Sequence, residues 1–501
     1  MSPKNRKMET KGRKITVVGL ARSGVGAANL LAGLGADVTV TDRKPEAELS
    51  EYAGRLLPGV KRALGGHPEE IFLSADMLVV SPGVPLEMKQ IASARAAGVP
   101  VVGELELAFQ ILESAKLMAH GKGGDKMPFL AVTGSNGKST TTTLLDFMLK
   151  KGGFGTILAG NIGNALTEEI LKSVRSETLG VESEGEDENP SPLAPYALPD
   201  FFVLEVSSFQ LDAIATFRPH IAAVLNITPD HLDRYHSIEE YGRSKARVFE
   251  NQGSGDFLVL NADDPETMKV ERELLQRRKE KPEVLYFSRK KEVKGVFWRD
   301  GSVFCDIPHL SMRPDRPFLA SDEIMIKGVH NLENAMAASA MALLAGCPAG
   351  PVRESRGEFA GLEHRLEFVR ELDGVRYIND SKGTNVGAVL KSVESFEGPV
   401  ILIAGGRDKA GDFSELRPLI SRKVKTLILI GEAAQKIRDS VGDATDTVTA
   451  ADLREAVGIS RARAGKGDVV LLSPACASFD MFRDFEDRGR QFKKIVMELG
   501  A

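Results

Sequence analysis

"FLAVTGSNGKSTTTTLL", residues 129–145, reads as a buried strand, a glycine turn and the opening of a helix. The run Phe129–Thr133 is apolar and short, as a strand covered on both faces should be. The turn holds Gly134, Ser135, Asn136, Gly137, Lys138, Ser139 and Thr140 and fits G-x-x-G-K-S. Val132 stands where the longer phosphate-loop pattern has its first glycine. The physics survives the shortening. Glycines let backbone N–H groups converge on phosphate oxygens, and the helix adds the partial positive charge of its N-terminus. Lys138 can neutralise β- and γ-phosphates, and the Ser139 hydroxyl suits Mg²⁺. ATP is the expected ligand of this segment.

Working outward, the same alternation of short β-rich runs and helical patterns recurs along the chain. Upstream are "KITVVGL" (14–20), "DVTVTD" (37–42), "ADMLVVSPGVP" (75–85) and "VPVVGELEL" (99–107). Around the loop lie "DFFVLEVSS" (200–208), "IAAVLNIT" (221–228) and "DFLVLNADD" (256–264). Downstream are "VRYIND" (375–380), "GPVILIAGG" (398–406), "KTLILIGE" (425–432) and "DVVLLSPA" (468–475). Strands alternating with helices imply parallel sheets with crossover helices. The fold class is therefore α/β, as three tandem domains with mostly parallel sheets, over 10–118, 119–360 and 361–501. An alanine-rich helix, 329–346, is stopped by Gly346 and Pro348. The stretch at about 173–200 is acidic, rich in Ser, Pro and Gly, and aperiodic; it reads as a dispensable surface insertion.

"GLARSGVG" (19–26) also joins a strand to a helix, and Asp42 ends the next strand. Ala21 stands where a dinucleotide fingerprint needs its second glycine, which weakens a nicotinamide site. The turn still favours a diphosphate, as in a UDP-sugar, or serves only tight strand–helix packing. Glu205 lies near the end of an apolar strand, where parallel sheets place ligands, and a carboxylate facing a phosphate loop is the usual Mg²⁺ partner. His231 follows another strand end, in a stretch dense in Asn226, Asp230, Asp233 and Arg234. Lys245, by chemistry alone, would be a helix-surface lysine.

The 501 residues exceed what one core supports, and the composition, 42% hydrophobic and 27% charged, is that of an ordinary globular protein. A net charge of −5 offers no basic excess for nucleic acid. No apolar run reaches the ~18–20 residues of a membrane span. Cys305, Cys347 and Cys476 form no metal spacing or disulfide framework, which fits a reducing, cytoplasmic setting. Small molecules are the expected partners, of a monomeric chain.

Taken together, the motifs resemble the Mur ligase family. They are "TGSNGKST" (133–140), "GNIG" (160–163), "LEVSSFQL" (204–211), "PDHLDRY" (229–235), "NADD" (261–264), "HNLENA" (330–335), "HR" (364–365), "NDSKGTN" (379–385), "GGRDK" (405–409) and "SPACASFDMFRDFEDRG" (473–489). "SSFQL" and "NDSK-TN" point to the D-glutamate-adding branch. The resemblance implies a Rossmann-like UDP-binding domain, a P-loop central domain and a Rossmann-like C-terminal domain. It implies that ATP phosphorylates the carboxylate of UDP-N-acetylmuramoyl-L-alanine and that D-glutamate attacks the acyl phosphate. A Mur ligase using another amino acid, or a nucleotide-sugar sensor without turnover, are the competing readings.

By this resemblance Lys138, Glu205, His231, Lys245 and Lys382 are catalytic. Two Mg²⁺ ions are implied on Ser139, Glu205, His231 and a carbamylated Lys245. Asn331, Asn334, Arg365 and Asp380 match further ATP contacts. Ser23, Asp42, Arg43, Ser81, Gly83, Asn161, Gly163 and His231 match the UDP-substrate site. Lys382, Thr384, Lys409, Ser478, Phe479 and Phe485 match the D-glutamate pocket, although Phe485 by itself also reads as packing. Phe479 stands where the family pattern has a leucine, and Gly383 where it has an alanine.

Overall fold

The computed structural model describes residues 8–114, 129–175, 199–230, 234–276, 278–310, 312, 314–320, 329–359, 361–408 and 411–500. They form two compact units, one of residues 1–323 and 333–357, the other of 324–332 and 358–501. His231, Lys409 and most of the acidic insertion lie outside the described residues.

The first unit holds two sheets. One has five parallel strands in the order Lys61–Leu64, Asp37–Asp42, Lys14–Val18, Met77–Val80, Val101–Gly103. The order reverses between Lys14–Val18 and Met77–Val80, which opens a crevice at their carboxyl ends. The other sheet has nine strands. Phe129–Thr133 lies inside it, between Phe201–Glu205 and Ile221–Val224, and all its five residues are buried. This sheet is parallel from Thr156–Gly160 across to Gly295–Arg299, and its last two strands, Ser302–Asp306 and Leu319–Ala320, are antiparallel.

One apolar cluster serves both sheets of this unit. Phe129 stacks on Phe202 at 5.2 Å, and Phe109 meets Phe217 edge-on at 5.6 Å. Phe109 is carried by the helix Glu104–Ser114. The sequence pattern suggests a β-rich segment through to 107, but the strand stops at Gly103. Glu104 and Glu106 favour a helix N-terminus, and Glu106 is drawn inward by the backbone N–H groups of Ala215, Thr216 and Phe217, each at 2.9 Å. The helix Leu166–Arg175 likewise carries regular structure past residue 173, where the insertion was expected to begin.

The second unit is built on six strands in the order Glu367–Leu372, Val375–Asn379, Val469–Leu472, Val400–Gly405, Val424–Ile430, Asp446–Thr449. Only the first pair is antiparallel. The last strand in sequence, Val469–Leu472, is inserted between the second and the third. The loops after Asn379, Gly405 and Leu472 therefore leave neighbouring strands at the same end of the sheet.

Candidate active site

The phosphate-type loop is shaped by its glycines. Gly134 has φ +152° and Gly137 φ +86°, a region that L side chains rarely adopt. A Cβ on Gly137 would fall 2.3 Å from Asn334 Oδ1, so that asparagine is packed against the turn. Asn331, one turn earlier on the helix Val329–Leu344, is also buried. The helix Lys138–Lys151 starts with no side-chain cap and no acidic residue in its first turn. Its N-terminal N–H groups and partial positive charge are thus left for an anion.

A second loop straps the turn down. Ser135 N donates to Asn226 O at 2.9 Å, Asn136 N to Asn226 Oδ1 at 2.8 Å, and Ser135 Oγ to Thr228 O at 2.9 Å. Lys138 folds back, Nζ donating to Gly134 O at 2.8 Å and to Ser135 O at 3.1 Å. Ser139 and Thr140 are buried in the first helical turn.

Glu205 ends the adjacent strand in register with Val132. Its side chain is 2% exposed. Asn161 Nδ2 donates to Oε1 at 2.8 Å, while Oε2 is buried without a hydrogen-bond partner. An ionised carboxylate oxygen in that condition is costly unless a cation completes it. Lys245 is 1% exposed, on the helix Ile238–Ala246. Its Nζ donates to Gly134 O at 3.0 Å and lies 4.2 Å above the Tyr241 ring. Burial first, and Lys138 second, hold its pKa well below the usual lysine range. The residues Gly134, Lys138, Glu205 and Lys245 are thus brought together; of their atoms the unpartnered Glu205 Oε2 is the one that suits a divalent cation.

At the switch point of the five-stranded sheet, the sequence-predicted residues hold the glycine turn itself. Ser81 Oγ donates to Gly19 O at 2.8 Å, and Asp42 Oδ2 accepts from Leu20 N at 2.7 Å. Ser23 lies in the first turn of the helix Arg22–Gly33. Arg22 donates to Gly163 O, joining this turn to the "GNIG" loop. Arg43, Gly83, Asn161 and Gly163 are exposed.

In the second unit Asp380 is buried, with Oδ2 accepting from Ser392 Oγ at 2.6 Å and from Ser473 Oγ at 2.7 Å. Burial raises its pKa against those hydroxyls and the Arg365 charge. Lys382 Nζ stands 5.6 Å over the Phe485 ring, and Lys382 N donates to His364 O at 3.0 Å. Thr384 N turns back to Lys382 O at 2.9 Å. Ser478 is buried, whereas Phe479 is 61% exposed. Phe485 opens the last helix, and its carbonyl accepts from Ser381 Oγ at 2.8 Å. It both packs and lines the segment that carries Lys382.

Three family models match consecutive parts of the chain. They are the Mur ligase MurD-like N-terminal domain over residues 13–103, the Mur ligase middle domain over 132–342, and the Mur ligase glutamate ligase domain over 364–476. UDP-N-acetylmuramoylalanine–D-glutamate ligase of Geotalea uraniireducens is 43% identical over 98% of this chain and 99% of its own length. That of Geotalea daltonii is 44% identical over 99% of both. The chain belongs to the Mur ligase family.

Solved structures agree on the fold of this Mur ligase. UDP-N-acetylmuramate–alanine ligase of Thermotoga maritima, 18% identical, covers 97% of this chain and 99% of its own with a TM-score of 0.57. The MurF ligase of Thermotoga maritima, solved in complex with ADP, is 15% identical and covers 98% of this chain and 100% of its own, also with a TM-score of 0.57.

Some residues of this Mur ligase that shape the site escaped the sequence reading. In the sequence Asn226 stands only as one of a polar stretch and Thr228 as the end of a strand; both clamp the phosphate-type loop. Their signal is position, directly after a buried strand beside the loop-bearing one. Tyr241, four residues before Lys245, supplies the ring beneath its amine, and that spacing places both on one helix face.

Proposed function

We propose that this Mur ligase joins D-glutamate to UDP-N-acetylmuramoyl-L-alanine at the expense of ATP, a step in making the peptidoglycan precursor. The alanyl carboxylate attacks the γ-phosphorus, ADP leaves, and an acyl phosphate results. The amine of D-glutamate attacks that carbonyl, the C–O bond to phosphate breaks, and the ammonium proton is lost. A carboxylate is a poor electrophile and phosphate a good leaving group, so catalysis is positioning and charge neutralisation.

The observation that carries the reading is the convergence of Gly134, Lys138, the unpartnered Glu205 Oε2 and the buried amine of Lys245, whose pKa is held well below the usual lysine range. Lys138, Ser139 and Thr140 take the phosphates of ATP. Ser139, Glu205, His231 and Lys245 would hold Mg²⁺, which would supply neutralisation of the transferring phosphoryl group when bound. Lys245 suits carbamylation, because only an uncharged amine adds to CO₂ and a lowered pKa favours that form, and the product exchanges a buried amine for an oxygen ligand. Ser23, Asp42, Arg43, Ser81 and Gly83 serve the UDP end, with Asn161 and Gly163 towards the sugar. Lys382, Thr384, Lys409, Ser478 and Phe479 serve D-glutamate. ATP and a UDP-sugar place the reaction in the cytoplasm.

The test is phosphate release from ATP, Mg²⁺ and UDP-N-acetylmuramoyl-L-alanine with D-Glu, L-Glu, L-Ala, L-Lys or diaminopimelate added singly, with and without bicarbonate. Release with D-Glu alone, and the matching amide by mass, is expected. Release with another amino acid instead moves the substrate and implicates Phe479. ATP binding with no release in any mixture overturns the ligase reading in favour of a sensor.

A further inference from the structure

Arg488 is the bulkiest fully buried side chain among the described residues, 0% exposed. A buried guanidinium ordinarily faces a carboxylate. Arg488 instead gives its hydrogen bonds to neutral oxygens. Nε donates to Ser381 Oγ at 2.9 Å and Nη2 to Ser381 O at 2.9 Å. Both Nη groups donate to Cys476 O at 3.3 Å, and Nη1 also to Ala477 O at 3.4 Å. A Cβ placed on Gly406 would lie 3.3 Å from Nη1. Burial lowers its pKa to about 10, so the group stays charged at neutral pH.

These contacts gather three loops that leave neighbouring strands at one end of the sheet. One continues into Lys382 and Thr384, one into Ser478 and Phe479, and the third, through Gly406, towards Lys409. Charge-assisted hydrogen bonds are about twice as strong as neutral ones, and the planar fork fixes their directions. Arg488 bonds the Ser381 segment and the Cys476–Ala477 segment at once, through all three of its guanidinium nitrogens.

We infer that Arg488 is a positioning residue for the amino-acid substrate, setting the spacing between the Ser381–Thr384 and Cys476–Phe479 segments that receive a dicarboxylate. This rests on the proposed D-glutamate site. Its charge, offset only in part by Asp480 and Asp380 nearby, also favours an anionic amino acid over a neutral one. A purely structural arginine would make no such distinction between substrates.

The test is steady-state kinetics of Arg488→Lys and Ser381→Ala, with folding followed by circular dichroism and thermal midpoint. Lysine keeps the charge but not the fork. R488K is expected to raise the KM for D-glutamate about tenfold, with the KM values for ATP and the UDP-substrate within about twofold and kcat within about threefold. S381A, which removes the Nε acceptor and the hydroxyl that donates to Phe485 O, is expected to raise the KM for D-glutamate about threefold. An unchanged KM for D-glutamate in R488K, or an equal rise in all three KM values, overturns the inference. Where R488K does not fold, S381A decides by the same criteria. Wild-type enzyme that turns over no D-glutamate would instead refute the proposed function, which separates the two failures.

Discussion

Asn161 Nδ2 holds Glu205 Oε1 at 2.8 Å, and Glu205 Oε2 is left buried with no hydrogen-bond partner. The asparagine therefore fixes which oxygen of the carboxylate is committed and which is offered. The two residues sit on adjoining strand ends, and the backbone repeats the link, with Asn161 N donating to Glu205 O at 2.9 Å.

The first prediction follows from that pair. In Asn161→Ala the carboxylate loses its fixed rotamer. Turnover should fall about tenfold to a hundredfold, the usual loss when a residue orienting a metal ligand is removed. The half-saturating Mg²⁺ concentration should rise with it. A Mg²⁺ titration of phosphate release checks this. Lost turnover at an unchanged Mg²⁺ requirement would show that Asn161 serves the sugar substrate alone.

Much of this arrangement is legible from residues alone, and the rest fails for a physical reason. The strand, glycine turn and helix at 129–145 are written as a change of period, and Gly134 and Gly137 take the left-handed or extended positive-φ conformations that mark such turns. The helix at 104–114 was hidden because "VPVVGELEL" ends in an alternation of Glu and Leu that continues the period of a strand, and only the distant N–H groups of Ala215–Phe217 decide where Glu106 points. Lys245 reads locally as a surface lysine on a polar helix. Its burial is set by the loop carbonyl of Gly134, 111 residues away in sequence. Arg488 is invisible for the same reason: its acceptors come from two separate strand ends, at Ser381 and at Cys476–Ala477.

The second prediction concerns Lys245. Methionine has a similar reach and no charge, so Lys245→Met removes a desolvated amine at the loss of one hydrogen bond to Gly134 O. Stability should stay within about 1 kcal/mol of wild type, because the desolvation cost and the lost bond nearly offset. Turnover should fall at least about a thousandfold, since no carbamate forms and an oxygen ligand is missing. Bicarbonate should not restore it. Urea unfolding and phosphate release check the two halves. In wild type, ¹³C-bicarbonate should give a carbamate resonance that the variant lacks; a variant that retains turnover would remove Lys245 from the mechanism.

The third prediction is a pH dependence away from the site. Asp256 is 5% exposed and accepts from Arg218 Nε at 2.7 Å and from Gly253 N at 2.8 Å, with His220 Nδ1 at 3.4 Å. Burial pushes its pKa up, but the hydrogen bonds from His220, Gly253 and Arg218 outweigh that and hold it below the ordinary 3.8. A carboxylate whose folded pKa is depressed stabilises the fold at pH values above its unfolded pKa. That contribution fades as pH falls through the folded value, because the unfolded chain takes up the proton first. Asp256→Asn should therefore cost about 1–3 kcal/mol at neutral pH, with Arg218 half-exposed and contributing the smaller share. The gap between variant and wild type should narrow below about pH 4. Urea midpoints measured for both proteins at neutral pH and at about pH 3 decide it. An equal gap at both would mean that Asp256 acts through its shape and neutral hydrogen bonding, which asparagine would then have to lack.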